Sequence, residues 1–175
     1  MQTMDGMICI NKPGGMTSYD VIRFLKRRFR PAEKIGHAGT LDPLAEGVLL
    51  VCLGRATRMS RLLMSEEKEY RARLRLGMVT DTLDMEGKVC AERPVQVIAQ
   101  QIATVPAHFL GEITQVPPVV SALKYKGEPL YKLYRRGVIV EPVPRVVFIR
   151  ELEIIAFESP FLDFRVVCSK GTYVR

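Results

Sequence analysis

Apolar positions divide the chain into short strands separated by polar turns. Residues 6–10 and 48–53 are almost continuously apolar, which predicts a short strand at 6–10 and a buried strand at 48–53. In residues 69–76, apolar positions that include Tyr70 alternate with arginines, a pattern that predicts a half-buried strand with one cationic side. Two further strands are predicted at about 146–157 and 161–168. The pattern therefore favours hairpin-like strand pairs.

Helical spacing of apolar residues predicts a first helix after the breaker at residues 12–15. Thr17 or Ser18 is its predicted N-cap and Pro31 its predicted end. Further helical segments are predicted at 59–64 and at 95–105, the latter ended by a proline. The apolar stripe of the first helix is predicted to consist of Val21, Ile22, Leu25 and Phe29.

Three polar segments connect these elements and are candidates for function, because site residues concentrate in loops. Residues 35–47 are rich in glycine and proline and lead into the buried strand at 48–53. Residues 80–87 form a polar loop, and Pro117-Pro118 introduces a hairpin-like element that carries tyrosines among basic residues. Strands mixed with scattered helices, without repeats or a linker, predict one α+β domain.

The charge of the chain permits a polyanionic partner without requiring one. Lysine and arginine number 26 against 19 acidic residues, giving a net charge of +7. Basic residues cluster at 23–30, at Arg71, Arg73 and Arg75, and at 124–136. Charge alone leaves open whether these clusters bind nucleic acid or are simply solvated. No run approaches the ~18 apolar residues of a membrane span, so we expect a cytoplasmic protein without a membrane partner.

The cysteines and histidines do not have the spacing of a metal site. We expect neither a disulfide nor a metal, because the four cysteines lie far apart and only His37 and His108 accompany them. Three of the cysteines lie in apolar runs, where a thiol behaves as a small hydrophobic group. The cysteines are Cys9, Cys52, Cys90 and Cys168.

The sequence contains no P-loop, dinucleotide fingerprint, nucleophile elbow or zincin helix. Taken alone, Asp42 before Pro43 is typical of a turn. The surrounding string GHAGTLDPLAEGVLLVCLGRATR, however, resembles the catalytic motif of the TruB family, bacterial enzymes that make pseudouridine in the T loop of tRNA. The resemblance continues in family order through MICINKPGGMTSYDV, KEYRARLRLGMVTDTLDMEG, QVPPVVSALKYKGEPLYKLYRRG and SKGTYVR.

The resemblance implies roles for particular residues. Asp42 is implied to be the catalytic aspartate, Tyr70 the aromatic residue that packs on the target base, and Arg175 the partner of the aspartate. His37 is implied to help hold the flipped nucleotide and Tyr173 to support the pocket. Structural alternatives stay open, because Tyr70 can also be a core residue, His37 a loop residue and Tyr173 a strand aromatic.

The resemblance also implies substrate contacts from basic residues. Lys12, Lys124, Lys126 and Arg135 are implied to contact the RNA, the last three within a thumb-like insertion at about 117–142. Such contacts hold phosphates and set register, so recognition is expected to depend mainly on RNA shape.

Two positions depart from the family pattern, and the chain stops before the family's usual end. Val119-Val120 replaces a bulkier or aromatic residue in the thumb, and Glu46 replaces a small hydroxyl residue. We expect residues 1–175 to be a catalytic domain incomplete at its C-terminal end, without the small RNA-binding domain that usually follows. As an isolated chain it is expected to be weakly active or inactive.

The function implied by the resemblance is isomerisation of one uridine, at position 55 of tRNA, to its C-glycoside. The implied fold is the α+β pseudouridine-synthase fold, with a mostly antiparallel sheet flanked by helices. The reaction conserves atoms and oxidation state, so no cofactor is expected, and the expected partner is the tRNA T-arm with no obligate protein partner. Two alternatives stay open, a synthase directed by a guide RNA and a non-catalytic RNA-binding or RNA-folding module.

Overall fold

The computed structural model describes residues 4–29 and 34–175, and the predicted helix end at Pro31 lies outside them. The chain divides into two compact units, Met1–Glu66 and Glu67–Arg175. In the described part of the chain, no helix is long and apolar enough to cross a membrane. Helices and antiparallel strands occur in both units, which confirms the α+β class.

The first unit contains a three-stranded sheet of β1 (Gly6–Lys12), β2 (Ile35–His37) and β3 (Gly47–Leu53). β3 is central and pairs antiparallel with both neighbours. The predicted β1 and β3 are confirmed, whereas residues 35–37 were predicted as loop and instead form an edge strand. Beyond β3, the predicted helix at 59–64 is shorter, a 3-10 turn at Gly54–Met59 followed by α2 (Ser60–Leu63).

Helix α1 (Ser18–Phe29) packs one apolar stripe against this sheet. Its first turn is capped reciprocally, because the Thr17 hydroxyl accepts from the Asp20 N–H at 3.1 Å while the Asp20 carboxylate accepts from the Thr17 N–H at 2.9 Å. Phe29 is 62% exposed, so the predicted stripe is wrong at its last position. The cluster formed with the sheet ends one turn earlier. It consists of Val21, Ile22, Leu25, Leu49 and Val51.

The second unit contains the remaining eight strands, two α-helices and a 3-10 turn at Val105–His108. The strands are β4 (Lys68–Arg75), β5 (Met78–Thr80), β6 (Val89–Glu92), β7 (Gly111–Gln115), β8 (Lys124–Tyr125), β9 (Glu128–Pro129), β10 (Arg145–Glu158) and β11 (Phe161–Cys168). The helices are α3 (Ala99–Thr104) and α4 (Leu130–Arg135). β10 and β11 confirm the two strands predicted last in the chain. β7 and α4 were not predicted, and α3 is shorter than the predicted 95–105 helix.

Four of these strands form the main sheet, in the order β4-β11-β10-β7, with every neighbouring pair antiparallel. One face buries Ile149, Val166 and Cys168, and Tyr70 packs against this cluster from β4. The alternation predicted for β4 is therefore confirmed at Tyr70 and Ala72, whereas Leu74 is 44% exposed. The sheet fixes the position of Tyr70 through its pairing with Val166.

The opposite face of this sheet carries ion pairs between side chains of neighbouring strands. The Arg73 guanidinium donates two hydrogen bonds to the Asp163 carboxylate, both at 2.7 Å. Arg165 contacts Glu69 at 2.8 Å and Glu151 at 2.7 Å. The cationic side predicted for β4 is present, since Arg71, Arg73 and Arg75 are all exposed. Carboxylates from other strands pair with two of these arginines, which the sequence pattern did not predict. We conclude that composition overstates the positive charge available on this face.

Candidate functional site

Asp42 lies in the loop that joins β2 to β3, at residues 38–46. The loop begins with the Ala38 N–H donating to the Leu50 carbonyl at 2.8 Å, which extends the pairing of β2 with β3. A tight turn follows, in which the Ala45 N–H donates to the Asp42 carbonyl at 3.1 Å. The carboxylate is half-buried, and the backbone that positions it belongs to the turn predicted for an aspartate before proline.

The buried ammonium group of Lys12 holds this loop in place through hydrogen bonds to backbone carbonyls. Its Nζ donates to the carbonyl oxygens of Pro13 at 2.8 Å, Met16 at 2.6 Å and Pro43 at 3.1 Å. The side chain is completely buried, and burial lowers the pKa of Lys12 from its ordinary value. Lys12 therefore joins the turn after β1 to the Asp42 loop. Its implied contact with the substrate stays a prediction.

The hydroxyl of Ser18 provides a second tie to the same loop. Its Oγ accepts from the Leu41 N–H at 2.9 Å and donates to the Leu41 carbonyl at 3.2 Å, next to Asp42. Ser18 is 2% exposed, and Thr17 performs the helix capping. The sequence predicted Ser18 only as a possible N-cap, but of the two adjacent hydroxyl residues Thr17 caps the helix and Ser18 binds the loop. Both neighbours of Asp42 in sequence are thus held by side chains of the β1–α1 region.

His37 ends β2 and contacts the same loop from its other end. Its Nδ1 forms a short hydrogen bond with the Gly39 carbonyl, and the ring is half-buried. Gly39 has a φ of 128°, a conformation open to glycine and strained for other residues. The structure therefore gives His37 a role in shaping the loop. Its implied contact with the flipped nucleotide stays a prediction.

In the second unit, Tyr70 combines features of both interpretations made from sequence. It packs against the buried cluster of the main sheet, as the core alternative predicts, and remains half-buried. A ring fixed on one side by packing keeps a defined orientation, which is the property that stacking on a base requires. Base stacking itself stays a prediction.

Arg175 is held by a carboxylate that sequence analysis did not identify. Its guanidinium donates to Asp84 Oδ2 at 2.6 Å, to the Val120 carbonyl at 2.7 Å and to the Thr82 carbonyl at 3.4 Å. The two charged side chains are 13% and 17% exposed, so the pair is largely withdrawn from solvent. The implied pairing of Arg175 with Asp42 stays a prediction, and Asp84 is added to the candidate site.

The loop at residues 80–88 begins at the last residue of β5 and leads to β6, and its contacts leave the Asp84 side chain little freedom. Asp84 Oδ1 accepts from the Thr82 hydroxyl at 2.6 Å and from the Glu86 N–H at 3.0 Å. Leu83 adopts a φ of 60°, a backbone conformation that is unfavourable for a bulky side chain. A Cβ at Gly87 would collide with the Thr82 hydroxyl, so the loop is also closely packed at that position. The alternation of hydroxyl and carboxylate residues in TDTLD was the signal available in sequence.

The segment around Tyr173 is fixed through its backbone. The Gln115 side chain donates to the Tyr173 carbonyl at 2.8 Å and accepts from the Tyr173 N–H at 2.9 Å. Gln115 is the last residue of β7, so these two hydrogen bonds hold the residues after β11 to the edge of the main sheet. Arg175 is thereby anchored two residues further along the chain. The expected support of a pocket by the Tyr173 ring stays a prediction.

Residues 117–142, here called the thumb segment, expose the remaining predicted contacts. β8 and β9 form a hairpin whose two-residue turn, Lys126 and Gly127, has positive φ at both positions, as this turn type requires. Lys124, Lys126 and Arg135 are all exposed. Arg135 lies over the Tyr131 ring at 5.7 Å, so its guanidinium has a preferred orientation. RNA contacts from these cations stay predictions.

Comparison with solved structures identifies the class of protein that this architecture represents. The chain is similar to a protein in "Crystal Structure of a Cbf5-Nop10-Gar1 Complex", with a TM-score of 0.71 and 32% identity over 97% of this chain and 41% of that one. A similar protein in "Structure of H/ACA RNP bound to a substrate RNA containing 2'-deoxyuridine" gives a TM-score of 0.67 and 29% identity. The pseudouridine-synthase fold expected from the sequence is thereby confirmed.

Within that class, residues 26–174 match the TruB family pseudouridylate synthase (N terminal domain), and the chain belongs to this family. It is 51% identical over 173 residues to tRNA pseudouridine synthase B of Syntrophotalea carbinolica and 46% identical over 173 residues to that of Clostridium tetani. These matches include 98% of this chain but 56% and 60% of the relatives. The chain therefore spans somewhat more than half the length of the curated relatives that it matches.

Proposed function

We propose that the protein isomerises uridine to pseudouridine in the T loop of tRNA, at position 55, with Asp42 as the catalytic group. The observation that carries this proposal is the Asp42 turn, held on both sides by the buried Lys12 ammonium and the Ser18 hydroxyl. These hydrogen bonds restrict the loop, as is required of a catalytic carboxylate that must keep its position while the substrate reacts. Family membership and relatives named as tRNA pseudouridine synthases support the same reaction.

The chemistry requires a carboxylate near the target nucleotide. The N-glycosidic bond breaks, the uracil turns, and a C-glycosidic bond forms, so no atom is gained or lost. Asp42 acts either by attacking the nucleotide or by abstracting a ribose proton, and both routes need its ionised form. Tyr70 supplies a stacking surface, and Arg175 stabilises the negative charge. No redox step occurs, and the proposal includes no cofactor.

Binding is proposed to bring the uridine out of its loop. Flipping a base costs a few kcal/mol, which stacking and backbone contacts offset. We assign those contacts to Lys124, Lys126 and Arg135 of the thumb segment, with His37 and Tyr173 beside the nucleotide. Such contacts orient the RNA, while its shape provides selectivity. The site of action is proposed to be the cytoplasm, without an obligate protein partner.

The direct test uses the full protein and an unmodified tRNA transcript labelled with tritium at uracil C5, because forming the C-glycosidic bond releases that tritium. We expect release of one equivalent per tRNA, and none from a transcript in which cytidine replaces uridine 55. Release that persists with the substituted transcript would contradict the assignment of position 55. Binding of tRNA without release would instead favour a non-catalytic RNA-binding module.

The solved complexes motivate a second candidate, a synthase that depends on a guide RNA. The structurally similar proteins occur in a Cbf5-Nop10-Gar1 complex and in an H/ACA RNP bound to RNA. Their identities of 32% and 29% are lower than the 46–51% found for the tRNA pseudouridine synthases B, which favours the stand-alone type. Turnover of an isolated T-arm stem-loop, without any added RNA or protein, distinguishes the two.

RNA affinity is expected to depend steeply on salt, because exposed cations release counterions when they bind phosphates. The dissociation constant should rise at least about tenfold between roughly 50 and 200 mM salt. Lys126→Ala should lower the slope of log K against log salt by about one, since this side chain is exposed at the hairpin tip. Arg73→Ala is the control, because Asp163 already neutralises that charge. A nearly flat salt titration of the unaltered protein would refute the prediction.

A further inference from the structure

One hydrogen bond connects the thumb segment to the loop that carries Asp84. The phenol of Tyr134, on α4, donates to Asp81 Oδ2 at 2.8 Å. The other oxygen, Asp81 Oδ1, accepts from the Lys88 N–H at 2.8 Å, while the Asp81 N–H donates to the Lys88 carbonyl at 3.0 Å. Asp81 therefore closes the base of the 80–88 loop and, through its second oxygen, binds the helix.

This bond has the character of a charge-assisted contact. The hydrogen bond from Tyr134 lowers the pKa of Asp81, and the same bond raises the pKa of Tyr134. Both shifts mean that the pairing of a neutral phenol with an ionised carboxylate is favoured. Both side chains are half-buried, so water competes for the bond only in part.

A second contact connects the same two regions. The Val120 carbonyl, near the start of the thumb segment, accepts from the Arg175 guanidinium at 2.7 Å, and that guanidinium also holds Asp84. The thumb segment therefore contacts the Asp84–Arg175 pair directly at Val120 and indirectly through Tyr134 and Asp81. Two attachments restrict its orientation more than one does.

We propose that Tyr134 is a positioning residue, which transmits docking of the thumb segment onto RNA to the Asp84–Arg175 pair. The cations Lys124, Lys126 and Arg135 lie on the same segment, so an RNA that binds them also biases where α4 rests. When α4 is docked, its phenol holds Asp81 and thereby the loop that presents Asp84. The inference rests on the proposed function for its catalytic readout.

The loop between Asp81 and Asp84 is packed closely enough to transmit a movement of α4 to Asp84. A Cβ at Gly87 would lie 2.6 Å from Asp81 Oδ1, so the chain is closely packed where the loop closes. The Thr80 hydroxyl also donates to the Asp84 carbonyl at 2.7 Å. A displacement of the Asp81 side chain is therefore expected to move the loop as a unit rather than be absorbed locally.

The test is Tyr134→Phe in the full protein, which removes the hydroxyl and keeps the ring. We expect the single-turnover rate of isomerisation to fall about tenfold, the effect of losing one hydrogen bond to a charged group, while the dissociation constant for tRNA stays nearly unchanged. Amide hydrogen exchange in residues 80–88 should accelerate by a similar factor. Tyr19→Phe is the matched control, because that tyrosine is 59% exposed on α1.

A double-mutant cycle with Asp81→Ala determines whether Tyr134 acts through Asp81. If it does, Tyr134→Phe has almost no further effect on turnover or exchange once Asp81 is replaced. Additive effects would overturn the proposal. So would a Tyr134→Phe variant that loses only tRNA affinity, since this result would make the phenol a direct RNA contact.

Hydrogen exchange also separates this inference from the proposed function. If the unaltered protein binds tRNA but isomerises no uridine, the proposed function fails, and exchange alone decides the inference. Slower exchange of residues 80–88 on tRNA binding, seen in the unaltered protein and lost in Tyr134→Phe, supports it. Equal protection of the loop in both proteins overturns it.

Discussion

Replacement of Asp42 by asparagine is expected to abolish pseudouridine formation and leave tRNA binding nearly intact. The asparagine side chain has almost the same size and also favours a turn before Pro43, so the loop should keep its shape. The ties from Lys12 and Ser18 are hydrogen bonds to backbone atoms next to residue 42, so both keep their partners in the variant. Only the negative charge is lost, and the rate should fall by at least about 10³-fold, as when other catalytic groups are removed.

The measurement pairs tritium release from uracil C5 with filter binding of the same tRNA. Glu46→Gln is the matched control, because it makes the same carboxylate-to-amide change in the same loop at an exposed position. This control should retain activity near that of the unaltered protein. Substantial tritium release by Asp42→Asn would remove Asp42 from the mechanism and leave it as a turn-forming residue.

Loss of the Asp84 carboxylate is expected to impair both stability and catalysis. Asp84→Ala removes the carboxylate that lies 2.6 Å from the guanidinium of Arg175, whose side chain is 13% exposed. Breaking a buried ion pair from one side typically costs about 3–5 kcal/mol in the free energy of unfolding. Thermal and denaturant unfolding measure this loss. Turnover should fall as well, because the same loop positions Arg175.

A solvent-exposed ion pair of the same length provides the control for the unfolding measurement. Arg136 and Glu128 also approach to 2.6 Å, but their side chains are 58% and 37% exposed. Glu128→Ala should therefore cost less than about 1 kcal/mol. The double variant Asp84→Ala/Arg175→Met should recover much of the stability without recovering turnover. An Asp84→Ala protein as stable and as active as the unaltered one would contradict this account of the pair.

Periodicity in the sequence predicted the elements whose burial is regular. β3 and β11 are continuous or alternating apolar runs, so their strand character follows directly from the pattern. β7 was missed because its five residues include a glycine and three polar positions, and its pairing with β10 decides its conformation. Helix α4 was missed because it has six residues, too few for a helical period to appear in the pattern.

Candidate site residues that belong to a family motif were predicted from the sequence. Those defined only by tertiary contacts were missed. Asp42 and Arg175 were identified by resemblance, whereas Asp84 looked like an ordinary loop residue until its contact with Arg175 was known. The acidic partners of the β4 arginines were missed for a similar reason. Asp163, the partner of Arg73, lies 90 residues further along the chain, and only strand pairing brings the two together.

The completely buried ammonium of Lys12 makes the Asp42 loop chemically observable. An amine reagent in solution reacts only with a lysine that it can reach, and the Nζ of Lys12 becomes accessible when the loop opens. The rate at which Lys12 is labelled, relative to exposed lysines such as Lys26, therefore reports the free energy of opening at one defined place. Labelling followed by peptide mass analysis therefore measures how often the Asp42 loop opens.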